Sequence, residues 1–297
     1  MTIGIVGAGK AGCSIGKYLR EQGAAVAGYF SKSRESVESA ATFTGTTAFS
    51  SLGELVRKSD IIFIATPDGI IRSIWEQIAE EPIKGKIICH LSGSLSSDIF
   101  SGRERAGASG CSVHPMYAFS SKYTSYQQLN HILFTLEGDR RALDLVGDVL
   151  EQTGLRFRII DSSKKMRYHA AASMVSNMMI GLYQMSIEML QDCGFRQEEA
   201  EELVEPLVEG NIRRLLATTP QQALTGPIER NDAATVAGHL AVLTEEEQAV
   251  YRRLAKKLAE LAMKKHPERD YKAVLELLQG GQCEEYSSDI SAGEGEG

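Results

Sequence analysis

The sequence predicts a doubly wound α/β domain followed by an all-helical one. Three observations carry this reading. Short continuous apolar runs alternate with helical stretches over residues 1–160, a glycine-rich turn follows the first run, and strand signals vanish after Asp161. Continuous apolar strands are expected where both faces of a sheet are covered, which means parallel strands with crossover helices.

Taken in order, strands are expected at residues 3–6, 25–29, 61–65, 87–89, 132–136 and 157–160, with helices near 10–22, 52–59, 70–80 and 140–153. A single helix of some thirty residues is expected from 163 to 193, with no proline and one internal glycine, Gly181. Further helices follow near 197–218, 232–240, 245–265 and 271–278. The expected division is 1–160 for the sheet domain, 161–280 for the helical one, and a Gly/Ser/Glu tail over 281–297 whose composition cannot bury a core and predicts disorder.

Composition excludes several classes. Of 297 residues, 43% are hydrophobic and 24% charged, which is ordinary globular usage. No apolar run approaches the roughly 20 residues of a membrane span, and the chain enters structure directly at Thr2 without a basic leader. Cysteines 13, 89, 111, 193 and 283 are scattered and never spaced as CxxC, which argues against a zinc cage or a disulfide framework and fits a reducing cytoplasm. The net charge of −7 lies in the second half, and no basic stripe accompanies it, so neither nucleic acid nor membrane is an expected partner.

Gly7-Ala8-Gly9-Lys10-Ala11-Gly12 is a GxGxxG between a strand and a helix. The first glycine permits the turn, the second lets backbone approach a diphosphate, and the third allows close helix–strand packing. The helix start offers free N–H groups and a positive dipole to phosphate. This is the signature of a Rossmann-like dinucleotide site; the alternative is a glycine-rich turn without a ligand. An NAD site normally places an acid at the end of the second strand. Here that strand ends in Ser31, Lys32 and Ser33, followed by Arg34, which suits the 2′-phosphate of NADP in preference to NAD. The plainer reading makes this a solvated loop with Ser33 capping the next helix.

Ligands of doubly wound sheets lie at the carboxyl ends of strands. Thr66-Pro67-Asp68 and His90-Leu91-Ser92-Gly93-Ser94 follow two strands, and Cys111 to Tyr117, with His114, is read with them as a loop. Thr66, Pro67 and Ser92 are candidates for cofactor contact and His114 for substrate contact, with helix capping or simple turns as alternatives. In the long helix Lys165, His169, Ser173 and Ser176/Asn177 share one face at spacings of three to four. Their neighbours are apolar, as in a helix buried nearly all round, and buried polar groups need partners. Such a face lines a wet pocket or meets a partner subunit. Lysine or histidine there could move a proton while asparagine orients the substrate. Arg230, within Thr225-Gly226-Pro227-Ile228-Glu229-Arg230-Asn231-Asp232, could hold a carboxylate bidentately or form a salt bridge.

Together, the glycine loop, Cys89-His90-Leu91-Ser92-Gly93, Val113-His114-Pro115-Met116, Tyr168-His169-Ala170-Ala171-Ala172 with Ser176-Asn177, and the 225–232 segment resemble a bacterial family. Its members join a Rossmann-like domain to a helical domain of unknown function. The family stands beside pyrroline-5-carboxylate reductase, ketopantoate reductase and the 6-phosphogluconate or 3-hydroxyacid dehydrogenases. The resemblance spans about residues 2–265. It implies an NADP-type cofactor, a cleft between the domains and a homodimer built on helix 163–193. In the hydroxyacid dehydrogenase relatives a lysine and an asparagine of that helix do the proton work. Lys165 and Asn177 are similar in kind, though more widely spaced, with His169 between them. The expected activity is NADP-dependent hydride transfer to or from a small carbonyl or imine, with no metal. A sensor without chemistry, or a deazaflavin coenzyme, are the alternatives.

Overall fold

A computed structural model describes residues 1–280; the tail expected over 281–297 lies outside the described residues. The strands are β1 (Thr2–Val6), β2 (Ala25–Phe30), β3 (Thr47–Ala48), β4 (Ile61–Ile64), β5 (Ile87–His90), β6 (Ser109–Pro115), β7 (Leu133–Gly138) and β8 (Arg156–Ile159). They form one sheet in the order β3-β2-β1-β4-β5-β6-β7-β8. The helices among them are α1 (Lys10–Glu21), α2 (Arg34–Thr44), α3 (Leu52–Arg57), α4 (Asp68–Ala79) and α5 (Arg140–Gln152).

Alternation along the central strands sorts their side chains onto two faces. Ile3, Ile5, Ile61, Phe63, Ile87 and Cys89 pack with α1, α2 and α5 in one core, while Val6, Ile62, Ile64 and Ile88 pack with α3 and α4 in the other. Both faces are covered, as the apolar runs predict.

Three features of the sheet depart from expectation, the first being the two-residue edge strand β3, too short to form an apolar run. Residues 109–115, read as a loop, form the interior strand β6; Ser, Gly and Cys dilute its apolar signal, although all but Ser109 and His114 are buried. The sheet is also not wholly parallel. Strand β7 runs antiparallel to β6, pairing Ser112 with Glu137 and His114 with Thr135, while the other pairs are parallel. The connection between β6 and β7 holds a 3-10 turn at Ser125–His131 and no crossover helix, so the chain returns directly.

The expected single helix over 163–193 is two, α6 (Lys165–Val175) and α7 (Asn177–Asp192). They meet at Ser176, whose backbone leaves helical geometry at φ −107°, ψ −77°. Its hydroxyl donates to the Ala172 carbonyl at 2.8 Å, the back-bonding that bends helices. Nor is this stretch buried nearly all round: Met166, Met174, Val175, Met178, Met179 and Ile180 are exposed, and Lys165 is the one buried residue of α6.

The chain divides into compact units at Leu182/Tyr183, later than the change of texture at 160. The first unit keeps α6 because Lys165 and Tyr168 are tied to β5–β6 by hydrogen bonds. The second holds the rest of α7, then α8 (Gln197–Ala217), α9 (Pro220–Ala223), α10 (Ala233–Val242), α11 (Glu245–Lys265) and α12 (Lys272–Gln279). Its core joins Val236 and Leu240 to Ala255, Ala259, Val274 and Leu278. Among the described residues no helix is long and apolar enough to cross a membrane.

Candidate active site

The glycine loop leaves β1 beneath the end of β2, where the Gly7 N–H donates to the Phe30 carbonyl at 2.8 Å. Gly7 holds φ +111°, a conformation other residues resist, and a Cβ there would stand 2.6 Å from the Ala65 carbonyl oxygen. On Gly12 a Cβ would lie 2.2 Å from the Gly7 carbonyl oxygen, so the helix can approach the strand only without one. Gly9 differs: a Cβ there meets nothing within 4 Å. It is exposed and begins α1, whose first turn has no capping side chain and no acid. Orphan N–H groups thus face open space, the setting in which a helix start receives an anion. Lys10 and Ala11 continue that turn, and Ala8 is buried beneath it.

Beside this loop Thr66 ends the run from β4, its hydroxyl buried and without a hydrogen-bond partner. An orphaned buried hydroxyl is costly, and next to a glycine loop it is a ready contact for a nucleotide. Pro67 follows as the residue preceding α4. At the end of β2, Ser33 caps α2 by accepting from the Ser36 N–H at 3.2 Å, and Arg34 pairs with Glu38 at 2.7 Å. Ser31 is half-buried there and Lys32 exposed.

The second cluster lies where β4, β5 and β6 end. Ser92 and Ser94 donate their hydroxyls to Asp68 Oδ2 at 2.7 and 2.8 Å, and Ser92 Oγ accepts from the N–H groups of Ser94 and Leu95. The turn is therefore locked from within. Lys165 locks it from behind: its Nζ, 1% exposed, donates to the Ser92 carbonyl at 2.9 Å and to Ser112 Oγ at 2.5 Å. Burial pulls this ammonium down to about 8, against the opposing pull of Glu137 and Asp68. Glu137, itself buried, accepts from the Ser97 N–H and hydroxyl.

Above Gly93 stand two imidazoles. A Cβ on Gly93 would fall 2.7 Å from His114 Nε2 and 2.7 Å from His169 Nδ1, so only glycine leaves room for the pair. Their rings meet edge to face with centroids 6.2 Å apart. His114 Nδ1 lies 2.9 Å from the Tyr168 hydroxyl, whereas His169 Nδ1 is buried without a partner. Burial, then the Lys165 charge, pulls His114 down to about 4, so it is neutral at physiological pH. His90, deeper in β5, is likewise held at about 4 by burial and bonds Ser92 N and Ser96 O.

Of the predicted residues, the structure brings Lys165, His169, His114 and Ser92 together. It does not bring Asn177 to them; that side chain is exposed and accepts from Ser176 Oγ at 3.1 Å at the break before its own helix. Arg230 is exposed in the second unit, and its neighbour Glu229 pairs with Lys265 and His266 instead. Asp232 caps α10 by accepting from the Thr235 N–H. Tyr168, Ser112 and Asp68 were missed. The signal for them was periodicity: Ser112 and His114 share a strand face at i, i+2, and Lys165, Tyr168 and His169 a helix face at i, i+3, i+4. Among the described residues no group of His, Cys, Asp or Glu could hold a metal ion.

Comparison with known proteins agrees with this architecture. Residues 1–115 match a Rossmann-like domain and residues 132–258 a domain of unknown function, DUF2520. No curated protein matches the chain. Among solved structures, protein TM1727 from Thermotoga maritima is 25% identical with a TM-score of 0.70, covering 89% of this chain and 99% of that one. An imine reductase from Myxococcus stipitatus in complex with NADP+ is 17% identical with a TM-score of 0.59, covering 94% of this chain and all of that one. A pyrroline carboxylate reductase from Plasmodium falciparum with NADP bound is 16% identical with a TM-score of 0.56, covering 89% and 96%.

Proposed function

We propose that this chain, which joins a Rossmann-like domain to a domain of unknown function, is an NADP-dependent oxidoreductase acting on a small, carboxylate-bearing carbonyl or imine compound. The observation that carries the reading is the uncapped start of α1 facing open space at Gly9, with the unpartnered Thr66 hydroxyl beside the loop. The cofactor's contribution is hydride exchange at carbon. The likeness to imine and pyrroline carboxylate reductases that carry NADP supports the cofactor and the reaction class.

The roles of this chain's residues follow from their placement. Gly7 to Gly12 receive the diphosphate on backbone N–H groups. Ser31 and the exposed Lys32 meet the 2′-phosphate; Ser33 takes part through the helix start it caps. Thr66, Pro67 and the Ser92 turn border the ribose and nicotinamide. His169 is the acid–base group, and Lys165, enclosed and already bonded to Ser92 and Ser112, holds the turn beneath it. The exposed apolar residues of α6 and α7 support a homodimer through 163–193, since a chain that left them in water would carry an interaction surface.

Fluorescence titration tests the cofactor assignment. NADPH is expected to bind more tightly than NADH, and Lys32→Ala to weaken NADPH about tenfold, roughly 1.4 kcal/mol, while sparing NADH. Equal affinities overturn the 2′-phosphate assignment, and failure of both to bind overturns the function.

A further inference from the structure

The Gly93 cluster specifies more than which ring moves a proton. His169 Nδ1 is buried and unpartnered, so Nε2 is the nitrogen left to meet a ligand. What that nitrogen presents, a proton or a lone pair, depends on the tautomer. The tautomer in turn depends on what Nδ1 faces.

Nδ1 faces His114. Both His169 Nδ1 and His114 Nε2 lie 2.7 Å from the same point over Gly93, so they stand within twice that distance of each other, with no hydrogen bond completed. Two lone pairs, or two N–H groups, brought this near to each other repel; one of each attracts. The two tautomers are therefore coupled. His114 is in turn governed from its other side, where Nδ1 and the Tyr168 hydroxyl share one proton across 2.9 Å.

The direction of that bond follows from the groups behind it. Burial raises the Tyr168 phenol above its ordinary range, so it keeps its proton at neutral pH. Thr135 is the cross-strand neighbour of His114, and its Oγ1 is buried with no partner in bonding geometry. The phenol's one hydrogen-bond partner among the described residues is His114 Nδ1, which therefore receives the proton the phenol keeps. No other hydroxyl is bonded to the phenol among the described residues.

We infer that Tyr168 is a positioning residue that acts through His114. Its hydroxyl donates to His114 Nδ1, His114 carries its proton on Nε2 and faces the bare Nδ1 of His169, and His169 therefore presents an Nε2–H. The direction of donation is thus passed along Tyr168, His114 and His169. The inference rests on the reductase reading and narrows its substrate. An N–H donor takes a hydrogen-bond acceptor, a carbonyl oxygen or the lone pair of an unprotonated imine, and disfavours an iminium ion, whose nitrogen is itself a donor.

Two-bond proton–nitrogen correlation spectra of the full chain labelled with [15N]histidine read the tautomers directly, with His114→Gln and His169→Gln supplying the assignments. Both rings are expected to carry the proton on Nε2, with Nδ1 bare. Tyr168→Phe, which keeps the ring and removes the donor, is expected to shift the His114 ratio about fivefold toward Nδ1–H, the equivalent of one net hydrogen bond of about 1 kcal/mol, and to move His169 in the same sense. NADPH affinity is expected to stay unchanged. An Nδ1–H form at either ring in the unaltered protein, or a Tyr168→Phe spectrum identical to it, overturns the relay. Correct tautomers in a protein that binds no dinucleotide would overturn the reductase reading and leave the relay standing.

Discussion

In the sheet, apolar residues vanish from solvent: Ile3, Ile5, Ile61 and Ile62 are wholly buried. Along α6, α7 and α8 the same residue types stay in water, with Ile180 at 66%, Met174 at 68% and Leu216 at 82% exposed. The difference teaches that apolar content measures what a segment needs to bury, not what this chain buries by itself. Strands β1, β4 and β5 find their cover within the chain, on both faces. The helices after residue 165 carry a face that needs another surface. Polar groups make the reverse contrast. The charged amine of Lys165 sits among satisfied partners in the first region, while the charges of α8 are solvated or paired one turn away, as in Arg196–Glu199 and Arg213–Glu209.

The sharpest way to break the contrast is to fill a closed position and an open one. Gly12→Val is expected to cost about 3 kcal/mol or more of stability, since even its Cβ would overlap the Gly7 carbonyl, and to abolish NADPH binding. Gly9→Ala, with open space before it, is expected to melt within a degree or two of the unaltered protein yet to weaken NADPH about tenfold. Thermal melts alongside NADPH titration decide; loss of folding in Gly9→Ala would remove the idea of an open cradle.

Lys165 gives the next largest effect. The folded protein releases its proton near pH 8, while the unfolded chain holds it to lysine's ordinary 10.5, so the buried charge opposes folding by roughly 3 kcal/mol below pH 8. That penalty fades as pH rises from 8 toward 10.5, and stability from this group rises across the same window. In Lys165→Met the increment should be missing. Urea unfolding of both proteins at pH 7 and pH 10 isolates it, and parallel pH dependences would show that the folded protein holds this proton as tightly as the unfolded chain, with no penalty for burying the charge.

On the exposed helices the effects fall on association. Ile180→Glu is expected to change the stability of the fold by less than about 0.5 kcal/mol and to weaken dimerisation at least tenfold, read by light scattering across a dilution series. A monomer before the substitution, or an undisturbed dimer after it, would detach the apolar face from self-association.

Most of the sheet was legible because apolar runs and glycine turns act locally. The glycine loop, the Ser33 cap and the crossover helices all follow from residues within a turn of one another. Three features did not. Strand β6 hid because Ser109, Gly110, Cys111 and Ser112 lack bulk. The break at Ser176 depends on one hydroxyl choosing a carbonyl four residues back. The meeting of His114 with Tyr168 and His169 joins residues more than fifty positions apart, and periodicity could show that each pair shared a face without showing that the two faces met.

The turnabout of chain direction between β6 and β7 has a consequence for how the cluster is assembled. Because β7 and β8 run opposite to β6, the chain leaves β8 at the far edge of the sheet, and α6 must climb back alongside β6 in that strand's own direction. Rungs on the two ladders then match: Lys165 beside Ser112, and one helical turn on, Tyr168 beside His114. A strand advances about 6.7 Å in two residues and a helix about 4.5 Å in three, so over one such step the two scales part by only about 2.2 Å, a gap side chains can span, and they drift further apart beyond it. Asn177, three turns further along, has outrun the strand altogether.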